Sequence, residues 1–542
     1  MQPVLNIEDI KRVEVELTRV GVSVSELMHR AGYAAAQEVL ELEGAKSVAV
    51  LCGMGNNGGD GWVAAEALLA RGLKVQAVCP MDPDQISGDL ARQVAQAAVK
   101  AGVPVTVGPS RDELDEVLDE ADVVLDCMLG TGFHGEVRAP FDIWIECVNA
   151  SGCRVVSVDV PSGLSAQTGQ AGSACVVADL TVTMLALKPG LLADDGRDVC
   201  GAIVVAPLSE QTERLCVEAD PVAWRTDLAD YRDVMVETSA SVDKFTRGSV
   251  LVVGGSSRFP GAPIMAARAA ARMGAGYVTL AVPQAIVAVC QTHLLEIPVV
   301  GLPCDVEGVL TADAAERVVK MARSASAVLV GPGMRVSGGT VAVVSALLRS
   351  EAPLVIDADG LNCLSRLTEG RLFDFPELTR RDAPLILTPH RGELGRLAGR
   401  AEVPPTSLSE QLECARQIVW SDGGSEIVVA SKGSATGCVS VDQAVLPKPG
   451  PAALATAGSG DVLSGMMASY LAQVGGQSEN LPLMAALVCE IHGYAGTVAA
   501  ERLGSRGVMA CDLIDSIGLA ADAIEERAAL AGLEDASEGQ QA

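Results

Sequence analysis

Aromatic residues make up only 3% of this 542-residue chain, and histidine occurs five times. A core without large rings has to be assembled from Val, Ile, Leu and Ala in closely packed α/β layers, which argues against an all-β sandwich. The fifteen cysteines stand singly, and no CxxC pair occurs. That absence argues against a disulfide framework, so Cys52, Cys79, Cys127, Cys290 and Cys489 read as buried thiols of a reducing compartment. No apolar run approaches the roughly 18 residues of a membrane span. The opening MQPVLNIEDIKR also lacks the basic-then-apolar order of a secretory signal. A cytoplasmic protein with no membrane partner is expected. Positive charge is short as well, 40 Lys and Arg against 69 Asp and Glu, for a net charge of −29. Such a surface is well solvated but repels phosphate polymers, so no nucleic-acid partner is expected and anionic ligands must be held locally by loops.

What is present is 49% hydrophobic residues and 56 glycines. At roughly 100–200 residues per domain the length allows about two to four domains. Residues 7–42 place Ile7, Ile10, Val13 and Leu17, then Leu27, Met28, Ala31, Ala35 and Val39, at helical spacing, which predicts two amphipathic helices. Short Val-rich runs follow at 48–52, 75–79, 123–129, 155–160, 180–186 and 202–206, separated by helix-compatible stretches. They predict a buried, mostly parallel sheet with right-handed crossovers. Residues 209–247 break the pattern, and a second strand–helix series starts at SVLVVGG, 249–255. It continues at 277–283, 327–333, 354–360, 385–390 and 426–433 and closes with helices from 461 onward. The expected organisation is a Rossmann-like three-layer α/β/α domain at 1–220, a second α/β domain at 221–532, and a disordered polar tail, LEDASEGQQA, at 533–542.

Two glycine-rich, acid-bearing segments, GMGNNGGDG at 53–61 and ATAGSGDVLSG at 455–465, imply two ligand sites. Gly53, Gly55 and Gly58 satisfy GxGxxG, yet Asp60 puts a carboxylate where a dinucleotide turn would seat pyrophosphate. Paired asparagines with that carboxylate suit a polar ring and a hard cation better. Three further strand ends, DCMLGTGFHGE (126–136), SVDVPSG (157–163) and ALKPG (186–190), fall on the same sheet edge. Asp126, Asp159 and Ser162 supply oxygen there, and Gly130, Thr131 and Gly132 can present N–H groups to phosphate. GNNGGDG, the Asp–x–x–x–Gly–Thr–Gly stretch and DVPSG together resemble the NAD(P)H-hydrate epimerase family over residues 5–218. The resemblance implies potassium held by Asn57, Asp126 and Ser162. It implies substrate contacts from Asn56, Asn57, Gly58, Gly59 and Asp60, from Gly130, Thr131, Gly132, Phe133, His134, Gly135 and Glu136, and from Asp159. Inverting the hydroxyl-bearing carbon requires acid–base help near the ring, for which Asp159 is the candidate.

In the second series, Gly458 and Gly460 free backbone N–H groups for a phosphate at the start of the helix near Asp461. Asp461 can take the proton of an acceptor hydroxyl for attack on a terminal phosphate. GGSSRFPGAP (254–263), GPGM (331–334), DADGLN (357–362), LTPHRGEL (387–394), SKGSAT (431–436) and ATAGSGD (455–461) resemble, in order, the ADP/ATP-dependent NAD(P)H-hydrate dehydratases of the ribokinase-like superfamily. That resemblance implies substrate contacts from Ala262, Gly333, His390 and Asp461, and a nucleotide held by Lys432, Gly433, Ser434, Ala435, Thr436 and Gly460. Glu393 reads as a helix acid that assists a magnesium ion indirectly. The segment LPKPGPAALA before the last motif departs from the pattern of many members. The whole chain then resembles the bifunctional NAD(P)H-hydrate repair enzymes, with NADHX and NADPHX as substrates, ADP or ATP as co-substrate, and a homo-oligomeric assembly. The competing reading is a small-molecule kinase of the same superfamily with a nucleotide-binding regulatory N-terminal domain.

Overall fold

The computed structural model describes residues 1–236, 246–369, 381–419, 427–475 and 480–538. Two compact units are present: Gln2–Ala223 with Ser407–Ser409, and Trp224–Thr406 with Glu410–Ala542 and Met1.

In the first unit the helices Ile7–Arg19 and Val24–Glu41 form as their periodicity dictates, burying Ile7, Ile10, Val13 and Leu17 and then Leu27, Met28, Ala31, Ala35 and Val39. Ser23 starts the second helix by accepting the Glu26 N–H at 3.1 Å. The sheet runs Val105–Val107, Lys74–Cys79, Ser47–Cys52, Val123–Cys127, Arg154–Val158, Leu180–Met184, Ala202–Ala206, and every pair is parallel. Val48, Val50 and Cys52 pack on one face while Ala49 and Leu51 pack on the other. Both faces are therefore covered, and the strands need no polar alternation. The chain's first long strand, Ser47–Cys52, sits mid-sheet with Lys74–Cys79 on one side and Val123–Cys127 on the other. Loops leaving Cys52 and Cys127 thus diverge and open a crevice at the carboxyl ends of the strands.

The second unit repeats the principle. Ser249–Val253 lies between Tyr277–Pro283 and Ala327–Val330, and the parallel sheet extends outward through Leu354–Ile356 and Leu385–Leu387 to Ile427–Ser431. Gly437–Val439 and Ala444–Leu446 then turn back as an antiparallel hairpin extension. Neither strand was legible beforehand, nor were Val105–Val107 and Val299–Leu302, because three or four residues carry no period to read. Helix Gly261–Arg272 crosses helix Ser459–Gln473 so closely that a side chain at Gly465 would start 2.2 Å from the Ala266 carbonyl oxygen.

Two expectations are corrected here. Helix Leu481–Leu503 is 23 residues long with a hydropathy of 1.4, enough by length and composition to cross a membrane, but 78% of that window is buried inside the protein. It is a core helix whose apolar face goes all the way round. The tail is not wholly irregular either, since the last helix runs Ala510–Glu538; residues 539–542 lie outside the described residues. All fifteen cysteines are free thiols, mostly buried, with Cys511 exposed.

Gly331, at the end of Ala327–Val330, has φ +132°, and a side chain there would start 1.8 Å from the Asp357 carbonyl oxygen. Gly331→Ala should therefore cost about 3 kcal/mol or more. A urea melt within about 0.5 kcal/mol of the parent would disprove the close approach.

Candidate active sites

The glycine-rich segment of the first unit is not a free turn, as its composition suggested. Helix Asn56–Ala70 begins at Asn56, so Asn56, Asn57, Gly58, Gly59 and Asp60 form its first turn. The reason is packing: Gly53 donates its N–H to the Cys127 carbonyl at 2.9 Å, and a side chain at Gly53 would start 1.9 Å from the Met128 carbonyl oxygen. The two diverging loops are thus held in backbone contact. Around them opens a cavity of about 1100 Å³, whose walls include Glu14, Met54, Asn57, Asp60, Asp159 and the whole stretch Gly130–Glu136.

Its floor is ionic. Asp159 follows strand Arg154–Val158 with φ 69°, a backbone conformation that its site has to hold against strain. The Lys188 ammonium, with no solvent exposure, donates to Asp159 Oδ1 at 2.7 Å, to Thr183 Oγ1 at 2.7 Å and to the Met184 carbonyl at 2.8 Å. All three of its donors are used. Asp159 Oδ2 accepts the Thr131 N–H at 3.3 Å, which ties the Gly130–Glu136 loop to the same carboxylate. Burial, then the carboxylates of Asp159 and Glu14, push the Asp60 carboxyl well above the usual carboxylate range. Glu14 is raised too, by burial and then by Asp159, against Lys188 and Lys11.

Beside this floor lies an oxygen-rich recess. Asp126 is fully buried and accepts from Ser157 Oγ at 2.8 Å, Ser162 N at 2.9 Å, Ser162 Oγ at 2.5 Å and Met128 N at 3.2 Å. Burial raises its carboxyl while those hydrogen bonds lower it, and no Lys or Arg is among the groups acting on it. Both amide atoms of Asn57 are buried without a hydrogen-bond partner. A buried carboxylate without a cationic partner and a buried, unpartnered amide oxygen are each suited to a small cation. With one carboxylate and neutral oxygens, the set matches a monovalent ion better than a divalent one.

In the second unit the buried Asp357 pairs with Lys432, which is 20% exposed, Nζ to Oδ1 at 2.8 Å. Burial works against the Lys432 ammonium, but Asp357, Glu393 and Asp461 raise it overall. Helix Ser459–Gln473 starts from Gly458, φ 91°, with Asp461 in its first turn, and a side chain at Gly460 would start 3.3 Å from Lys432 Nζ. An ammonium and a helix N-terminus thus converge beside one carboxylate. Asp461 is pushed up to about 7 by burial and the Asp357 carboxylate, against Lys432, with Asp359 and Glu393 adding to the rise. Glu393 is also pushed up to about 7, chiefly by burial. Gly433, Ser434, Ala435 and Thr436 form the hairpin loop between Ile427–Ser431 and Gly437–Val439, and Gln411 Nε2 pins it through the Ser431 and Ala435 carbonyls at 2.8 and 3.2 Å.

Comparison with known proteins follows this geometry. The NAD(P)H-hydrate dehydratase family matches residues 250–518, and the YjeF-related protein N-terminus matches residues 24–190. A bifunctional NAD(P)H-hydrate repair enzyme Nnr from Salinibacter ruber is 35% identical over 514 residues, 91% of each chain. Its namesake from Thermofilum pendens is 34% identical over 537 residues, 96% of this chain and 97% of that one. This chain belongs to the bifunctional NAD(P)H-hydrate repair enzyme family. Among solved structures, an ADP/ATP-dependent NAD(P)H-hydrate dehydratase from Bacillus subtilis, co-crystallized with ATP/Mg2+, is 23% identical with a TM-score of 0.46, covering 56% of this chain and 99% of that one.

Within that family setting, the residues expected from sequence fall into two groups. Asn56, Asn57, Asp60, Gly130 to Glu136 and Asp159 line the first cavity, with Asp126 and Ser162 hydrogen-bonded behind it; Gly58 and Gly59 do not, since they are buried where side chains would meet the Gly53 backbone and Met28. Ala262 and Gly333 meet in the second unit, where a side chain at Gly333 would start 3.2 Å from Ala262 Cβ. His390 has a structural task as well: it caps helix Arg391–Leu397, its Nδ1 accepting from Gly392 N at 3.0 Å while Glu393 Oε2 accepts the His390 N–H at 3.0 Å. Lys188, Glu14 and Asp357 were not anticipated as site residues. The signal for two of them was a charge embedded in an apolar strand end, ALKPG and VIDADG, where burial demands a partner.

Asp461 generates a pH-dependent prediction. Its folded pKa lies above its unfolded value, so the native state binds the extra proton and stability falls as pH rises from about 4 to about 7. Asp461→Asn should therefore raise the melting temperature at pH 8 but hardly change it below pH 4. A uniform loss of stability at every pH would contradict the burial argument.

Proposed function

We propose that the two sites divide the repair of hydrated nicotinamide nucleotides, the amino-terminal unit interconverting the R and S hydrates of NADH and NADPH and the carboxy-terminal unit dehydrating the S form with ADP or ATP. The observation that carries the first half is the convergence of Asp60, Asn57 and the Asp159–Lys188 pair on one cavity floor. In the hydrate, the hydroxyl sits on the carbon bonded to the ring nitrogen. Protonation of that hydroxyl lets it leave as water while the nitrogen lone pair forms a C=N bond; water then re-adds from the opposite face and gives up a proton. One acid and one base are required. Asp60, whose environment favours the protonated form, is the acid, and Asp159, held by Lys188 and Thr131, is the base. Asn57, Asp126 and Ser162 would hold a potassium ion, which when bound balances the buried Asp126 charge and fixes the Asn57 helix start. Asp159→Asn should lower the epimerisation rate by about 10²–10⁴-fold while the hydrate still binds. Asp126→Ala should abolish any potassium dependence of that rate, and an unchanged rate and dependence would place the cation elsewhere.

For the second half the carrying observation is Asp461 in the first turn of a helix whose N-terminus adjoins the Lys432 ammonium. Asp461 takes the hydroxyl proton, and the oxygen attacks the terminal phosphate of the nucleotide. The N–H groups at Gly458 to Gly460 and the Lys432 ammonium meet the charge that develops. Phosphate is a far better leaving group than hydroxide. The ring nitrogen lone pair expels it, and loss of a proton from the neighbouring carbon restores the dihydropyridine. Among the described residues no three His, Cys, Asp or Glu side chains are grouped to hold a metal ion. Magnesium would accordingly be bound mainly through the nucleotide's own phosphates and water, and when bound it neutralises phosphate charge. Asp461→Asn should lower kcat by about 10²–10⁴-fold in a coupled assay with the S hydrate, with hydrate and nucleotide still bound. Near-parental turnover would remove Asp461 from the reaction.

A further inference from the structure

The carboxyl end of Ser249–Val253 continues into a tightly organised turn that the reaction just described does not use. Ser256, fully buried, donates its hydroxyl to the Gly333 carbonyl at 2.8 Å, and Phe259 donates its N–H to the Ser256 carbonyl at 3.0 Å. Gly333 has φ 66°, and a side chain there would start 2.7 Å from the Phe259 carbonyl oxygen, 2.9 Å from Phe259 Cβ and 3.2 Å from Ala262 Cβ. Phe259, Ala262 and Gly333 are therefore one contiguous surface. Phe259 is nevertheless 44% exposed, in a chain with only six phenylalanines. Holding a large apolar ring in solvent forgoes the burial that it would gain a few ångströms away in the core. The Arg258 guanidinium carbon lies 5.3 Å from the ring centroid and backs one side of it. One helical turn beyond Ala262, Met265 Cε approaches within 2.7 Å of where a side chain at Gly458 would start, the N-cap of the Asp461 helix. The helix that follows Phe259 thus reaches the N-cap of the Asp461 helix.

We propose that Phe259, backed by Arg258, is a stacking platform for the flat nitrogen–alkene–carboxamide segment of the hydrated substrate's ring and sets its affinity in the dehydrating unit. The hydrated ring keeps a conjugated nitrogen–alkene–carboxamide segment, which is flat and apolar on its faces. A phenyl ring can cover one face without restricting the hydroxyl, which must turn toward Asp461. Gly333 and Ala262 pack directly against Phe259 and fix where its backbone sits. This inference rests on the dehydratase reading given above.

The test uses the full chain. Phe259→Ala should raise KM for the S hydrate about tenfold, within the range measured for base–aromatic stacking, and leave kcat within about twofold. KM for the nucleotide co-substrate should not change, and Phe259→Tyr should restore the parental KM. Epimerisation by the same preparation, assayed without nucleotide, should be unaffected and reports that the variant is folded. The hydrate of the reduced mononucleotide, which lacks adenine, should lose as much as the dinucleotide. An unchanged KM for the hydrate, a rise confined to the nucleotide co-substrate, or a loss seen only when adenine is present would each overturn the assignment. Absence of dehydration by the parental chain would instead overturn the activity on which the proposal rests.

Discussion

A buried ammonium must be surrounded by acceptors, and that requirement organises the site of the first unit, while a partly exposed lysine–carboxylate pair stands at the second. Lys188 has no solvent exposure and spends its three donors on Asp159, Thr183 and Met184, so the Asp159 carboxylate is fixed to the sheet rather than free to rotate. Lys432 pairs with Asp357. Removing Asp159 would leave the buried Lys188 charge uncompensated, a costly defect in a core. Both carboxylates lie where the backbone itself is under constraint. Asp159 has φ 69°, and Ala358, next to Asp357, has φ 51°. The strain persists because the ion pair and the strand before it over-determine the conformation.

The pairs are placed by topology. In each unit the first strand of the series lies in mid-sheet, and the chain winds outward first on one side and then on the other. Divergent loops at that point leave a crevice that no side chain has to be deleted to create. Glycine then decides how closely the loops approach, since Gly53 and Gly331 each bring their own backbone against another carbonyl where a side chain would collide. For a protein of net charge −29, N–H-rich loops supply positive potential locally where the surface as a whole does not.

The buried carboxylates of the second unit come at a cost in stability. Asp461 and Glu393 are both pushed up to about 7, mainly by burial, well above the usual carboxylate range. Folding would be better served by an amide or an apolar side chain at either position. In the first unit Asp60, shifted upward, faces the paired Asp159, and two carboxylates in unequal surroundings can divide acid from base.

Sequence by itself determined the two α/β series, the helical pairs with period 3.6, and the glycine–acid motifs at strand ends, because alternation of apolar runs and breakers is a local property. It also determined the family, through short motifs whose order along the chain leaves little freedom. Three kinds of fact had to wait for the tertiary structure. Strands as short as Gly437–Val439 exist only because a neighbour pairs with them. Leu481–Leu503 has the composition of a membrane span, and only the surrounding helices and sheet make it a core element. Asn56 to Asp60 read as a loop by composition, yet become a helix start once Gly53 docks on Met128. Lys188 and Asp159 are separated by 29 positions. Nothing in the linear order pairs them, and it is the crossover from one parallel strand to the next that brings the ammonium to its carboxylate.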